Sequence, residues 1–130
     1  MEASLESGAV CVPNITAAGR RRRQRFAIAT GLIGAIGFGA AVATGQGPLL
    51  RAVALGLPIA AGVASYLQVR RSTCVAHAYG GRVEHEDFST TAAPPDENAA
   101  SRRVAGTILR DAAIVGALAA LAAAATSYVG

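Results

Sequence analysis

The chain has 130 residues, of which 52% are hydrophobic, 15% charged and 5% aromatic, with fifteen Gly and no Trp. A soluble domain carries about 25% charged residues and leans on large side chains to fill a small core. This composition therefore excludes a disordered chain, a disulfide scaffold and a highly charged nucleic-acid binder, and it indicates a small single-domain membrane protein. All twelve basic residues are Arg, a bias that a GC-rich genome explains together with the Ala and Gly excess.

Residues 1–25 form a tail that ends in the basic run Arg20, Arg21, Arg22, Arg23 and Arg25. From Phe26 to Leu50 there is no charge, and a membrane span needs about 20 apolar residues. The sequence predicts a first span over about 26–45, a turn at Gln46-Gly47-Pro48, and a second span over about 50–69. Pro58 lies inside the second span, where a membrane helix tolerates it if neighbours accommodate the freed carbonyl. The helical pattern is expected to continue past Arg70 and Arg71 through Thr73, Cys74 and His77, giving a hairpin unit over 26–79 that stops at Gly80-Gly81. Residues 80–100 read as a flexible polar loop, with Glu84, Glu86 and Asp87 as a solvated acidic cluster. A third helix is predicted over 101–130, spanning from about Ala112; its Ala content makes it read as the least hydrophobic span. The expected fold class is thus an all-α membrane protein with three transmembrane helices.

Charge placement predicts orientation. With the N-terminus cytoplasmic, eleven of the twelve Arg lie inside and only Arg51 lies in the outer turn, as the positive-inside rule demands. The C-terminus is then outside, and the expected location is the bacterial inner membrane. Arg20, Arg21, Arg22, Arg23, Arg25, Arg70 and Arg71 read as topology and headgroup contacts; no aromatics interleave with the basic run, so nucleic acid is not an expected partner. A basic segment followed by an apolar run and Ala41-Val42-Ala43 also meets the loose grammar of a signal peptide, but the run is long for one, and an uncleaved anchor is preferred.

Small residues recur at spacing four: Ala27, Gly31, Ala35, Gly39 and Ala43 in the first span, Ala52, Gly56, Ala60 and Ala64 in the second, and Ala112, Gly116, Ala120 and Ala124 in the third. Such stripes let helices approach closely, within the bundle or in a homo-oligomer or complex with another membrane protein. In the third span almost any register is Ala, so the pattern carries little information there. No span holds an ionisable residue in its middle, which argues against a pump or carrier.

The remaining chemistry is confined to Cys11, Cys74, His77 and His85. These types can hold a tetrahedral metal, and the two thiols can form a redox or sulfur-transfer pair. There is no CxxC, and no catalytic or nucleotide fingerprint is present. The reading from the residues is a lipid-embedded, non-enzymatic accessory, anchoring or interaction module without cofactor; the alternative is a thiol redox, sulfur-transfer or metal-handling component that uses Cys11 and Cys74.

Asn14-Ile15, Arg20 and Arg23, Leu57-Pro58 and Thr73-Cys74 together resemble the pattern of the YgaP-like inner-membrane domain family over about residues 11–75. Thr16 and Gly19 depart from it, standing where Gly and an acid are usual. The resemblance implies a two-span bacterial module of unknown function, sometimes found beside sulfur-transfer domains. The loop and third span lie outside it.

Overall fold

The computed structural model describes residues 14–129. It is an all-α fold with one minute sheet: α1 (Ala17–Ala43), α2 (Pro48–Arg70), α3 (Val75–Gly80), β1 (Arg82–Glu84), β2 (Thr90–Ala92) and α4 (Pro95–Ala125), closed by a 3-10 turn at Thr126–Tyr128. Helices α1, α2 and α4 with its 3-10 extension are each long and apolar enough to cross a membrane, with mean hydropathy 2.0, 1.6 and 1.8 over their most apolar 18 residues. The chain is a multi-pass membrane protein. The third span is therefore more hydrophobic than the second, contrary to expectation, because Leu, Ile and Val accompany its alanines while Pro58, Ser65, Tyr66 and Gln68 lower the second.

The helix ends follow from local chemistry. Thr16 caps α1, its Oγ1 accepting the Gly19 N–H at 3.1 Å. α1 stops where Gly45 turns left-handed (φ +71), with Gly45 N–H donating to Val42 O and Gln46 N–H to Ala41 O, the Schellman arrangement. Pro48 then opens α2 at a position where no N–H is needed. α2 ends by the same device without a glycine: Ser72 is left-handed (φ +49), and the N–H groups of Ser72 and Thr73 reach Val69 O and Gln68 O. The helix thus breaks before Thr73-Cys74, and the continuous extension expected there is replaced by a turn and the separate short helix α3. α3 ends on Gly81, φ +69. α4 begins at Pro95, with Asp96 and Glu97 in its first turn, where carboxylates favour the positive end of the helix. The loop expected over 80–100 is instead an antiparallel hairpin, pairing Arg82 with Ala92 and Glu84 with Thr90, followed directly by this helix.

The chain divides into two compact units. One consists of residues 24–66 and 110–130 and holds the apolar stretches of the three long helices. Large side chains there point outward: Ile36 is 71% exposed, Leu57 66% and Leu121 69%. Its interior is made of small residues in close approach. A Cβ on Gly56 would sit 2.8 Å from Ala120 Cβ and 3.2 Å from Gly116 O, and one on Gly116 would sit 2.7 Å from Ala60 Cβ and 3.2 Å from Gly56 O. Against α1, a Cβ on Gly62 would lie 2.9 Å from Thr30 Oγ1, and one on Gly34 3.0 Å from Pro58 Cβ. The Ala54 carbonyl, which Pro58 deprives of its usual donor, faces Gly37. Arg51 closes one end, donating from Nε to Gln46 O at 2.7 Å and from Nη1 to Thr126 Oγ1 at 3.0 Å.

The other unit consists of residues 14–23 and 67–109 among those described. Its core joins Ile15, Ala78, Ala105 and Ile108 to a set of buried polar groups, Asn14, Thr73, Glu84 and Ser101.

Candidate functional site

The buried polar groups of the second unit are built around Asn14. This side chain is 2% exposed and clasps one peptide unit on each side of Cys74: Cys74 N–H donates to Asn14 Oδ1 at 2.6 Å, and Asn14 Nδ2 donates to Cys74 O at 3.2 Å. Its backbone does the same for two other segments, its N–H reaching Ser72 O and its carbonyl accepting from Glu84 N–H. The left-handed Ser72 costs about 1–2 kcal/mol as a non-glycine, and this clasp is what holds it. Gln68 Oε1 completes the turn by accepting the Val75 N–H at the start of α3.

Glu84 is the second centre. Pairing with Thr90 points its side chain inward, and that side chain is 1% exposed. Its Oε2 accepts from Thr16 Oγ1 at 3.0 Å and lies 3.5 Å from Thr16 N, so the carboxylate sits at the positive end of α1. Oε1 faces Arg23 Nη1 at 3.5 Å, and the same Nη1 donates to Gly19 O at 3.1 Å. The carboxylate occupies the space a side chain on residue 19 would need: a Cβ on Gly19 would collide with Glu84 Oε2. The acidic cluster expected in solvent is thus split, with Glu84 buried and Glu86 and Asp87 exposed.

His77 Nδ1 lies 3.9 Å from Glu84 Oε1 and has no hydrogen-bond partner. Burial, and then Arg23, hold its pKa below the ordinary histidine value, outweighing the opposite pull of Glu84 and of the Asn14 backbone. At neutral pH the ring is uncharged, and the approach to Glu84 is not an ion pair.

Of the metal and thiol candidates, Cys74 is a free thiol buried to 5% exposure, whereas thiolates react from accessible positions. Cys11 lies outside the described residues. His85 is exposed in the hairpin turn with Nε2 2.9 Å from Thr91 Oγ1. No group of three or more His, Cys, Asp or Glu able to hold a metal occurs among the described residues.

The packing candidates separate by helix. Gly56 and Ala60 meet Gly116 and Ala120 in their predicted registers. Gly31 and Gly39 meet nothing within 4 Å, and Ala35 is exposed. The α1 face used inside the chain is the neighbouring one of Thr30, Gly34, Gly37 and Ala41, touched on its edge by Ala27, whose carbonyl lies 3.3 Å from a Cβ on Gly62. The arginines separate too. Arg23 turns inward to Glu84, Arg22 lies over the Phe88 ring at 4.4 Å, and Arg71 donates to Thr107 Oγ1 at 2.8 Å. Arg21, Arg25 and Arg70 are exposed, and Arg20 is half-buried.

Protein-family models, curated proteins and solved structures offer no match to this chain. Within the described residues Asn14 binds the Cys74 peptide, and Arg23 binds the Gly19 carbonyl in the first turn of α1, beside Glu84. Glu84 and Gly19 had no sequence signal of this role; only the hairpin register reveals it.

Proposed function

We propose that this protein is a non-enzymatic inner-membrane module of bacterial type. It presents a small folded polar unit at the cytoplasmic surface and a small-residue helix face to a second membrane helix. The observation that carries the reading is the division of labour between the units. Charged and polar groups are gathered, and largely satisfied, in one of them. The apolar stretches of the other expose Leu and Ile, and its charged residues, Arg25, Arg51, Arg110 and Asp111, lie near their ends. The resemblance to the YgaP-like family is part of the same proposal. It rests on Asn14-Ile15, Arg20, Arg23, Leu57-Pro58 and Thr73-Cys74.

Burial of Cys74 makes native-thiol labelling a poor reporter of orientation, so engineered thiols are the test. In a Cys11→Ser background, S89C in the exposed hairpin turn is expected to stay unmodified by an impermeant maleimide in intact cells. V129C, at a position 77% exposed, is expected to react. The reverse pattern overturns the cytoplasmic placement of the polar unit. For the partner-facing role, energy transfer between labelled copies in vesicles is expected to fall in the Gly31→Leu/Gly39→Leu double variant. Unchanged transfer removes that face from self-association.

A further inference from the structure

The turn between β1 and β2 holds a large apolar residue where glycine is usual. Phe88 has φ +67, in the left-handed region that a bulky residue rarely adopts. The turn is well fastened: Phe88 N–H donates to His85 O and His85 N–H to Ser89 O, each at 2.8 Å, and Asp87 Oδ1 accepts from Ser89 N–H at 3.0 Å. Yet the ring contributes to no core and is 43% exposed. Strain retained at a surface position points to a use outside the fold.

The Arg22 guanidinium lies 4.4 Å from the centre of that ring. Arg22 belongs to α1 and precedes Phe26, the first residue of the apolar stretch, by four positions, about 6 Å along a helix. Arg21 and Arg25 are exposed on the same turns. An aromatic ring stacked on an arginine has the composition of an interfacial anchor. The ring enters the region between headgroups and acyl chains, and the guanidinium edge stays free for phosphate. Glu86 and Asp87 flank the ring, and Asp87 has its carboxylate engaged by Ser89. The described residues of this unit carry nine Arg against five acids, so its net charge complements a phospholipid surface.

We propose that the β1–β2 turn is a membrane-surface anchor, with Phe88 seated in the headgroup layer and Arg22 pairing with lipid phosphate. The inference rests on the membrane-spanning reading, and the two fail differently. The protein has no Trp, so F88W in the full chain is a unique fluorophore. The variant is reconstituted in vesicles of phosphatidylcholine and phosphatidylglycerol. Flotation after alkaline washing tests the spanning reading by itself. In floated vesicles the F88W indole is expected to emit at blue-shifted wavelength. Lipid brominated near the headgroup should quench it several-fold more than aqueous iodide, and R22Q should shift its emission to the red. Quenching by iodide and not by brominated lipid, in protein that floats, overturns the anchor and leaves the spans standing; an indole shielded from both quenchers, as at a contact with another protein, overturns it too. Phe88→Gly relieves the backbone and serves as the folding control: it is expected to raise the melting temperature while weakening protection of the hairpin by vesicles against protease. Protection equal to wild type also refutes the proposal.

Discussion

Replacing Glu84 with Ala isolates the contribution of one buried carboxylate. Two losses add. The start of α1 loses the acceptor for Thr16 Oγ1, and a helix-cap interaction contributes about 1 kcal/mol. Arg23, 13% exposed, loses its counter-charge; breaking a buried pair costs about 3–5 kcal/mol. The 3.5 Å separation and the retained bond to Gly19 O place this case below that range. The expected destabilisation is about 3 kcal/mol, a large part of a typical total of about 5–15 kcal/mol. Unfolding of the full chain in detergent micelles, followed by circular dichroism, reads it. Glu86→Ala, two residues away and exposed, is the control and should move stability by less than about 0.5 kcal/mol. Gly19→Ala sharpens the test. In the native background its Cβ meets Glu84 Oε2 and overpacking costs about 1–3 kcal/mol. With Glu84→Ala already present that collision is gone, only the flexible end of Arg23, whose Nη1 lies 2.9 Å from such a Cβ, has to shift, and alanine's helix preference over glycine makes the same change stabilising by up to about 1 kcal/mol. Equal costs for Glu84→Ala and Glu86→Ala, or a Gly19→Ala effect that ignores the residue at 84, would refute this account of the buried carboxylate.

Three further outcomes follow from the same geometry. Gly116→Val places a branched side chain against Ala60 and the Gly56 carbonyl and is expected to lower stability by about 1–3 kcal/mol, whereas Gly31→Val in monomeric micelles is expected to be nearly silent; equal effects in thermal melts would contradict the assigned contacts. Asn14→Ala removes both bonds to the Cys74 peptide, leaving buried groups unpaired at about 1–3 kcal/mol, and should markedly accelerate Cys74 modification by a small thiol reagent; an unchanged rate refutes the clasp. His77 has a folded pKa below its ordinary value, so the unfolded chain takes up the proton first. Stability is full above about pH 6.5 and falls as pH drops through and below it. His77→Phe is expected to flatten that part of the pH–stability curve, and an unaltered slope would show that other groups set it.

The legible and illegible parts of this fold differ in range. The three spans rest on uninterrupted apolar runs, and the stops at Gly45 and Gly81 rest on residues that themselves favour a left-handed turn. The stop at Ser72 has no such residue; it depends on Asn14, nearly sixty positions earlier, and so the sequence reads as continuous helix. Glu84 looks like its acidic neighbours until strand pairing turns it inward. On α1 two small-residue registers interleave, 27-31-35-39 and 30-34-37-41, and composition favours neither. Pro58 and Gly62 on α2 decide between them, because they present the ring and the flat backbone that fit Gly34 and Thr30.

The Asn14 clasp also orders events during biosynthesis. A ribosome adds about 5–20 residues per second, so the first span is complete well before residues 72–84 leave the ribosome. Until then the start of α1 has neither its carboxylate nor its partner turn. The first span therefore leaves the ribosome some seconds before the polar unit can be completed. In that interval Arg23 lacks the Glu84 carboxylate, and the basic run carries its whole charge unpaired by that acid.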